Sequence, residues 1–428
     1  LDCRKNIFLM AHIKEAPVFY PTRKDMLGPF ERYIEKIESE LAQHGIARIV
    51  PPRSWQPKLS GYKSLQFVSE QPIKQHVVGS KGFFRTVLVE CKPTSIEKEF
   101  RLRARAAENQ PSQAALKDTS LLEREFWKNV TTSPPVYCAD IPGTLFDKNL
   151  REWQMSDLNT ILTRTLKKNG SNIPGVSSAY LYFGMWRSLF AWHTEDADLY
   201  SLNYLHFGAP KFWYSIAPCH RKRFETLLHG RFPELYSSCP EFLRHKEFLV
   251  SPTILQQNGI PFYRSMQYPG EFVVTYPGSY HSGFNCGFNC AESTNFATRA
   301  WIPIGRRANV CKCVDDSVRI DMSLFKFGDR KVPQCSRECK IRSRNMNYST
   351  KKSSQKYSCQ KYSTKICVST SKLKKSVLKG ALERVTCSRK RIRFSKLIAL
   401  LEQDLSLTPG SLKNMKHEFK LVKDLYKC

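Results

Sequence analysis

Phe190-Ala-Trp-His-Thr-Glu-Asp196 places an imidazole and a carboxylate two positions apart among aromatic and small apolar neighbours. Residues i and i+2 of a strand point to the same face. His193 and Glu195 therefore form two thirds of a 2-His-1-carboxylate facial triad, which binds ferrous iron and leaves positions open for co-substrate and O2. The spacing alone is weak. With 10 His and 38 acidic residues in the chain, roughly one His-x-Asp/Glu is expected by chance, and there are two, the other being His245-Lys-Glu247. The setting favours the first: a strand-like run, Glu271-Phe-Val-Val-Thr-Tyr276, passes through a Pro277-Gly278 turn into Tyr280-His281, a natural third ligand. The bare pattern fits an iron site or a pair of satisfied core polar residues, and both readings stand at this point.

The totals bound the rest. A chain of 428 residues, 41% apolar and 12% aromatic, can bury a sizeable core in two or three folding units. Its charge is uneven: of the net +30, residues 330–428 carry +20, from 26 Lys and Arg against 6 Asp and Glu. Such a tail suits polyanions, nucleic acid or an acidic protein surface, through salt-dependent contacts. A solvated, disordered tail fits the same composition. No apolar run approaches the roughly 18 residues of a membrane span, and Ile7-Phe-Leu-Met-Ala11 is too short for a signal-peptide core. Fifteen cysteines, odd in number and scattered, read as thiols and metal ligands rather than disulfides.

Met26, Phe30, Ile34, Ile37 and Leu41 recur at helical steps and predict an apolar helix face closed by Gly45. Ala47-Arg-Ile-Val50 and Thr86-Val-Leu-Val89 read as strands around a Val78–Gly82 turn, and residues 94–130 as charged helix. Leu150, Trp153, Leu158, Ile161, Leu162 and Leu166 predict a second amphipathic helix, stopped by Asn169-Gly170. From Ser178 to Ile302, short aromatic-rich strands separated by Gly/Pro turns, with a helix near Arg221 to His229, imply a β-sandwich or barrel closed by helices. Beyond Phe327 regularity fades, apart from an apolar helical face at Phe394, Leu397, Ile398, Leu401 and Leu405.

Four stretches carry a family resemblance: Tyr180-Leu-Tyr-Phe-Gly-Met-Trp186, Ala191-Trp-His-Thr-Glu-Asp196, Asn203-Tyr-Leu-His-Phe-Gly208 and Gly287-Phe-Asn-Cys-Ala-Glu-Ser-Thr-Asn-Phe296. They resemble the JmjC core of the lysine demethylase 4 subfamily of histone demethylases. Tyr20-Pro-Thr22, the helix after it and Val50-Pro-Pro-Arg-Ser-Trp55 resemble its JmjN segment. The resemblance implies a mostly β fold with helices (α+β): a double-stranded β-helix (cupin, or jelly roll) with a JmjN segment, flanking helices and a disordered basic C-terminal tail. Its divisions would be a JmjN segment at 16–58, a mixed linker packing on the core at 59–146, the JmjC domain at 147–313, a C-terminal segment at 314–328 and the tail at 329–428.

The same resemblance implies Fe(II) on His193, Glu195 and His281, and 2-oxoglutarate held by Lys211, Tyr137 and Asn203 in a pocket lined by Phe190, Trp213 and Thr275. Gly175, Tyr182, Ser293, Thr294 and Asn295 correspond to the family's methylammonium pocket. A trimethylated head has no N–H to donate, so oxygens must meet it through weak C–H contacts. Cys239, His245, Cys311 and Cys313 match the family's structural Zn2+ set, a Cys3His arrangement with its four positions filled; their spacing alone is weak, and Cys335, Cys339, Cys359 and Cys367 read as free thiols. The implied substrate is trimethyl- or dimethyl-lysine of the histone H3 tail, lysine 9 before lysine 36, in the nucleus. Nucleosome or nucleic-acid binding would fall to the tail, and no membrane partner is implied. A JmjC protein hydroxylase and a non-catalytic chromatin scaffold are the alternatives.

Two positions depart from the family pattern. Cys138 follows Tyr137 where the subfamily usually has glycine, which predicts an extra side chain beside the co-substrate pocket. Pro277-Gly-Ser-Tyr280 replaces the usual Pro-Tyr-Gly-Tyr before the third iron ligand.

Overall fold

Two sheets arise from the short alternating stretches of the sequence. In the computed structural model, which describes residues 13–63, 66–313 and 317–325, five strands lie in the order Ile13–Glu15, Phe262–Gln267, Lys211–Ile216, Tyr280–Asn285 and Leu189–His193. Ten more follow the order Phe248–Val250, Phe83–Glu90, Ile73–Ser80, Val136–Pro142, Tyr180–Gly184, Asn289–Phe296, Tyr200–Gly208, Phe272–Thr275, Ile46–Ile49 and Val18–Phe19. The sheets face one another. Gln267 on the first donates to Asn203 on the second at 3.2 Å, and Trp213 shares a buried cluster with Val273 and Ile46. This is the jelly-roll core with helices expected from the sequence. The basic segment 329–428, including the face from Phe394 to Leu405 and the cysteines at 335, 339, 359 and 367, lies outside the described residues.

The first helices follow their sequence signals. Thr22 accepts from the Asp25 amide at 3.1 Å while its own amide donates to the Asp25 carboxylate at 2.8 Å, a capping box that starts Arg23–Leu27. Met26 belongs to this short helix. Gly28-Pro29 breaks the chain before Phe30–His44, which buries Phe30, Tyr33, Ile34, Ile37 and Leu41 and ends at Gly45 in the left-handed region (φ 76°). Phe30 meets Phe296, the residue after Asn295, edge-on at 4.9 Å between centroids, so the helix packs against the ten-stranded sheet beside Asn295.

Residues 59–146 join the larger sheet. Their hairpin, Ile73–Ser80 with Phe83–Glu90, turns at Lys81-Gly82, both at positive φ, and Val136–Pro142 adds a third strand. Helical segments between Ile96 and Lys128 follow the charged stretch as expected.

The helix predicted from Leu150 forms only over Ile161–Lys168. Trp153 (φ 50°) and Asn159 (φ 49°) sit in the left-handed region and interrupt it. Trp153, Leu158, Ile161, Leu162 and Leu166 are nevertheless all buried in one cluster with the Phe30–His44 helix. The apolar spacing thus recorded a shared core rather than a continuous helix.

The departing turn before His281 is tied to the first long helix. Ser279, which is buried, donates its hydroxyl to the carbonyls of Gly45 (2.8 Å) and Tyr276 (2.7 Å), and the Tyr276 amide also donates to Gly45 (2.9 Å). Ser279→Ala is expected to cost about 1 kcal/mol, measured by denaturant unfolding, because the Tyr276 amide still satisfies the Gly45 carbonyl.

Candidate active site

The strand Leu189–His193 pairs antiparallel with Tyr280–Asn285, and the register sets His193 opposite His281. The strand stops at His193, and Glu195 follows in extended backbone (φ −64°, ψ 155°). The two residues of the sequence pattern are therefore not both on one strand, as the spacing suggested; Glu195 lies just past the strand end, in extended backbone before the 3-10 segment Asp196–Asp198, and its carboxylate meets both imidazoles there. His281 Nε2 lies 3.1 Å and His193 Nε2 3.9 Å from Glu195 Oε1. One donor atom from each side chain lies within 4.8 Å of the others.

The surroundings fix the donors. His193 Nδ1 sits 2.7 Å from the Ala191 carbonyl, so that nitrogen carries the proton and Nε2 presents its lone pair. Asn295 Nδ2 donates to Glu195 Oε2 at 3.0 Å and to the Tyr200 carbonyl at 3.1 Å. Burial, then the charge of His281, pushes His193 down to about 3, which keeps it neutral. Burial opposes charge on Glu195, but the hydrogen bond and charge of His281 outweigh it and hold the carboxyl below its ordinary range. Two imidazoles and one carboxylate converging in this way suit Fe(II) in a facial triad.

Lys211 is 2% exposed. Its ammonium donates to Asn285 Oδ1 at 2.7 Å and to the Tyr137 hydroxyl at 3.4 Å, and lies 5.6 Å from the Phe190 ring centre. Burial lowers its pKa to about 7, opposed by Cys286 and Cys290. Among the described residues no carboxylate pairs with it. Asn203 makes no described hydrogen bond to Lys211; its side-chain oxygen accepts from Gln267, whose own oxygen accepts from Trp213 Nε1 at 2.9 Å. Thr275 bonds Ser201 at 2.7 Å.

Asn285 and Gln267 were not anticipated. Residues 281, 283 and 285 share one face of a strand, and this alternation was the available signal for Asn285. Gly283 has to be glycine: a Cβ there would lie 2.1 Å from the Phe212 carbonyl oxygen and 2.5 Å from the Phe190 ring. That close approach seats Phe190 beside Lys211.

The residues matched to the methylammonium pocket lie on neighbouring strands and a turn. Tyr182 donates to Asp140 Oδ1 at 3.1 Å. Gly175 turns at φ 74°, and a Cβ there would strike the Tyr180 ring at 2.6 Å. Ser293 bonds the Leu202 carbonyl at 3.1 Å, Thr294 the Val176 carbonyl at 3.3 Å, and Asn295 alone of the three reaches the triad in the described hydrogen bonds. Asp140, itself at φ 57°, is a further residue that the sequence reading missed.

Cys239, His245, Cys311 and Cys313 form a second donor cluster. His245 Nε2 lies 3.2 Å from the Cys311 sulfur and 3.0 Å from that of Cys313, and Cys239 lies 3.6 Å from Cys311. Three thiols and an imidazole gathered this closely match the donor set of a structural zinc site. The rival pair is split, since Glu247 turns away to Arg85 at 2.5 Å. Cysteines among the described residues are all thiols.

Cys138 does not face Lys211. Strand alternation directs Tyr137 towards Lys211 and Cys138 into an apolar cluster with Leu181, Phe183 and Cys290. Burial pushes its thiol up to about 12, so it is a packing residue rather than a reactive one.

Residues 17–51 match the jmjN domain, and residues 180–296 match the "JmjC domain, hydroxylase" family. The fold and site therefore define a JmjN/JmjC protein. The chain is 46% identical to lysine-specific demethylase 4B of Mus musculus over 72% of its own length and 28% of that relative. It is 42% identical to lysine-specific demethylase 4D of Rattus norvegicus, covering 72% of this chain and 60% of the relative, and 42% identical to probable lysine-specific demethylase 4F of Homo sapiens, covering 72% and 48%. Within the JmjN/JmjC proteins it belongs to the lysine-specific demethylase 4 subfamily. It spans between 28% and 60% of the length of these relatives. Among the described residues no helix is long and apolar enough to cross a membrane.

Proposed function

We propose that this chain is an Fe(II)- and 2-oxoglutarate-dependent histone demethylase acting on trimethyl- and dimethyl-lysine of histone H3, lysine 9 first and lysine 36 second. One observation carries the reading: a two-histidine, one-carboxylate cluster shares its sheet with a buried ammonium that no described carboxylate neutralises. His193, Glu195 and His281 would hold the iron, which when bound supplies O2 activation for hydroxylation of a methyl group, with 2-oxoglutarate as reductant.

The chain's own groups do the rest. Lys211 and the Tyr137 hydroxyl receive the far carboxylate of the co-substrate, Phe190 and Trp213 exclude water beside it, and Asn203 and Thr275 hold the facing strands in register. Asn295 orients Glu195, so that its second oxygen faces the histidines. Gly175, Tyr182, Ser293, Thr294 and Asn295 supply the oxygen-lined approach for the methylated ammonium, with Asp140 fixing the Tyr182 hydroxyl. Methyl groups are lost as formaldehyde.

Cys239, His245, Cys311 and Cys313 would hold structural Zn2+ next to the triad, since Arg244 of the same segment donates to the Glu195 carbonyl at 3.2 Å. Cys311→Ser should remove the zinc, read by elemental analysis, and lower stability by on the order of 4 kcal/mol. Wild-type zinc content and stability in the variant would contradict the assignment. The subfamily and the basic composition support action on chromatin in the nucleus, with 329–428 contacting nucleosomal DNA. Deleting that segment should flatten the salt dependence of nucleosome binding.

The test of the main reading is formaldehyde release, with Fe(II) and 2-oxoglutarate supplied, from H3 peptides trimethylated at lysine 9 or at lysine 36. The lysine 9 peptide should turn over faster. Background release from both would reject the activity, and a reversed order would reject the site preference.

A further inference from the structure

Apart from the triad and the Lys211 pocket, a cavity of about 450 Å³ opens beside the Phe207–Ala209 turn. None of the residues assigned to metal, co-substrate or methyl-lysine lines it. Its charged lining residues are both cations, Arg101 and Arg105, stacked on Phe288 with guanidinium carbons 5.4 and 5.8 Å from the ring centre. Arg101 is paired with Glu97 at 2.7 Å, but both side chains are about 30% exposed, so the pair is weak. Arg105 has no carboxylate partner among the described residues. Leu116 and Phe207 add apolar wall, and the volume is that of a small-molecule site. Two guanidiniums over an aromatic floor favour a flat apolar body that ends in a carboxylate.

The floor of this cavity is also the mount of Lys211. The Ala209 amide donates to the Phe288 carbonyl at 2.8 Å and the Cys286 amide to Pro210 at 2.9 Å. Asn289 Nδ2 then bridges the Ala209 carbonyl and Asn285 Oδ1, at 3.0 Å each, and Asn285 Oδ1 accepts from the Lys211 ammonium. Gly287 packs against Ala209, where an added Cβ would meet the Ala209 methyl at 2.9 Å. A ligand resting on Ala209 and Gly287 thus touches two turns whose hydrogen bonds run, within two side chains, to the ammonium.

We infer that this cavity is a second ligand site for an aromatic carboxylate, and that its occupancy tightens co-substrate binding by ordering the two turns that hold Lys211. The tightening rests on the reading of Lys211 as the co-substrate anchor; the binding does not.

The test is calorimetry on the full chain loaded with Mn2+, which avoids turnover, with 2-naphthoate as probe. Binding of 2-naphthoate should weaken at least about tenfold in Arg105→Glu, and 2-oxoglutarate should bind about fivefold tighter when naphthoate saturates the wild type. In Arg105→Glu, 2-oxoglutarate without naphthoate should bind as in the wild type. Equal binding of uncharged 2-naphthalenemethanol, or no loss in Arg105→Glu, would overturn the carboxylate site. Unchanged or weaker 2-oxoglutarate binding under naphthoate would overturn the linkage. If 2-oxoglutarate itself fails to bind while naphthoate does, the Lys211 assignment fails and the cavity assignment stands.

Discussion

His193→Ala should lower formaldehyde release from trimethyl-lysine peptide by at least about a thousandfold, the scale of loss for groups that act as one unit. The remaining Glu195 and His281 present only two of the three donors, and a two-donor site holds a borderline metal weakly. Stability should change little in metal-free protein: His193 is neutral, and its hydrogen bond at 2.7 Å is local, to the Ala191 carbonyl two residues back in the same strand. Iron content and turnover, measured on the same sample with a thermal melt, check both halves. Turnover that survives with iron bound would show that the reaction centre lies elsewhere.

Lys211→Met should weaken 2-oxoglutarate binding by about 100-fold or more, since losing one partner of a buried hydrogen-bonded charge pair costs roughly 2–5 kcal/mol. The folded chain should be no less stable, because burial disfavours this ammonium and methionine fills similar volume. A pH dependence follows with a definite sign. Burial brings the free ammonium's pKa down to about 7, and the co-substrate's carboxylate favours the protonated form. Binding at pH 8 should therefore take up a proton, and wild-type affinity should fall as pH rises above about 7, whereas Lys211→Met should lose this dependence. Calorimetry in buffers of different ionisation heat reads the uptake directly. Equal affinity in Met and Lys forms would remove Lys211 from the site.

The legible part of the molecule was the part fixed by local pattern. The face from Phe30 to Leu41, the Gly45 stop and the hairpin around Lys81-Gly82 follow from periodicity and turn chemistry, and all appear. His193, Glu195 and His281 could be paired from spacing and a turn, but the strand ends at His193, two residues short of Glu195, so alternation along one strand is not the cause. What escaped was tertiary. Leu150 to Leu158 carry helical spacing because one core covers them, while positive φ at Trp153 and Asn159 forbids the helix. Asn285 escaped as the hydrogen-bond partner of Lys211 because cross-strand register, invisible in one strand's sequence, sets 285 opposite 211. Cys138 looked like a pocket residue by its position next to Tyr137, yet adjacent residues on a strand face opposite ways.

The proposed reaction is read most directly by the mass spectrum of a histone H3 peptide trimethylated at lysine 9, after incubation with the full chain, Fe(II), 2-oxoglutarate and ascorbate. The proposed function, with His193, Glu195 and His281 at the metal and Lys211 on the co-substrate, predicts stepwise loss of CH2 units that stops when 2-oxoglutarate is omitted. A peptide that gains an oxygen atom and keeps its methyl groups, or one that returns unchanged from iron-loaded protein, would contradict it.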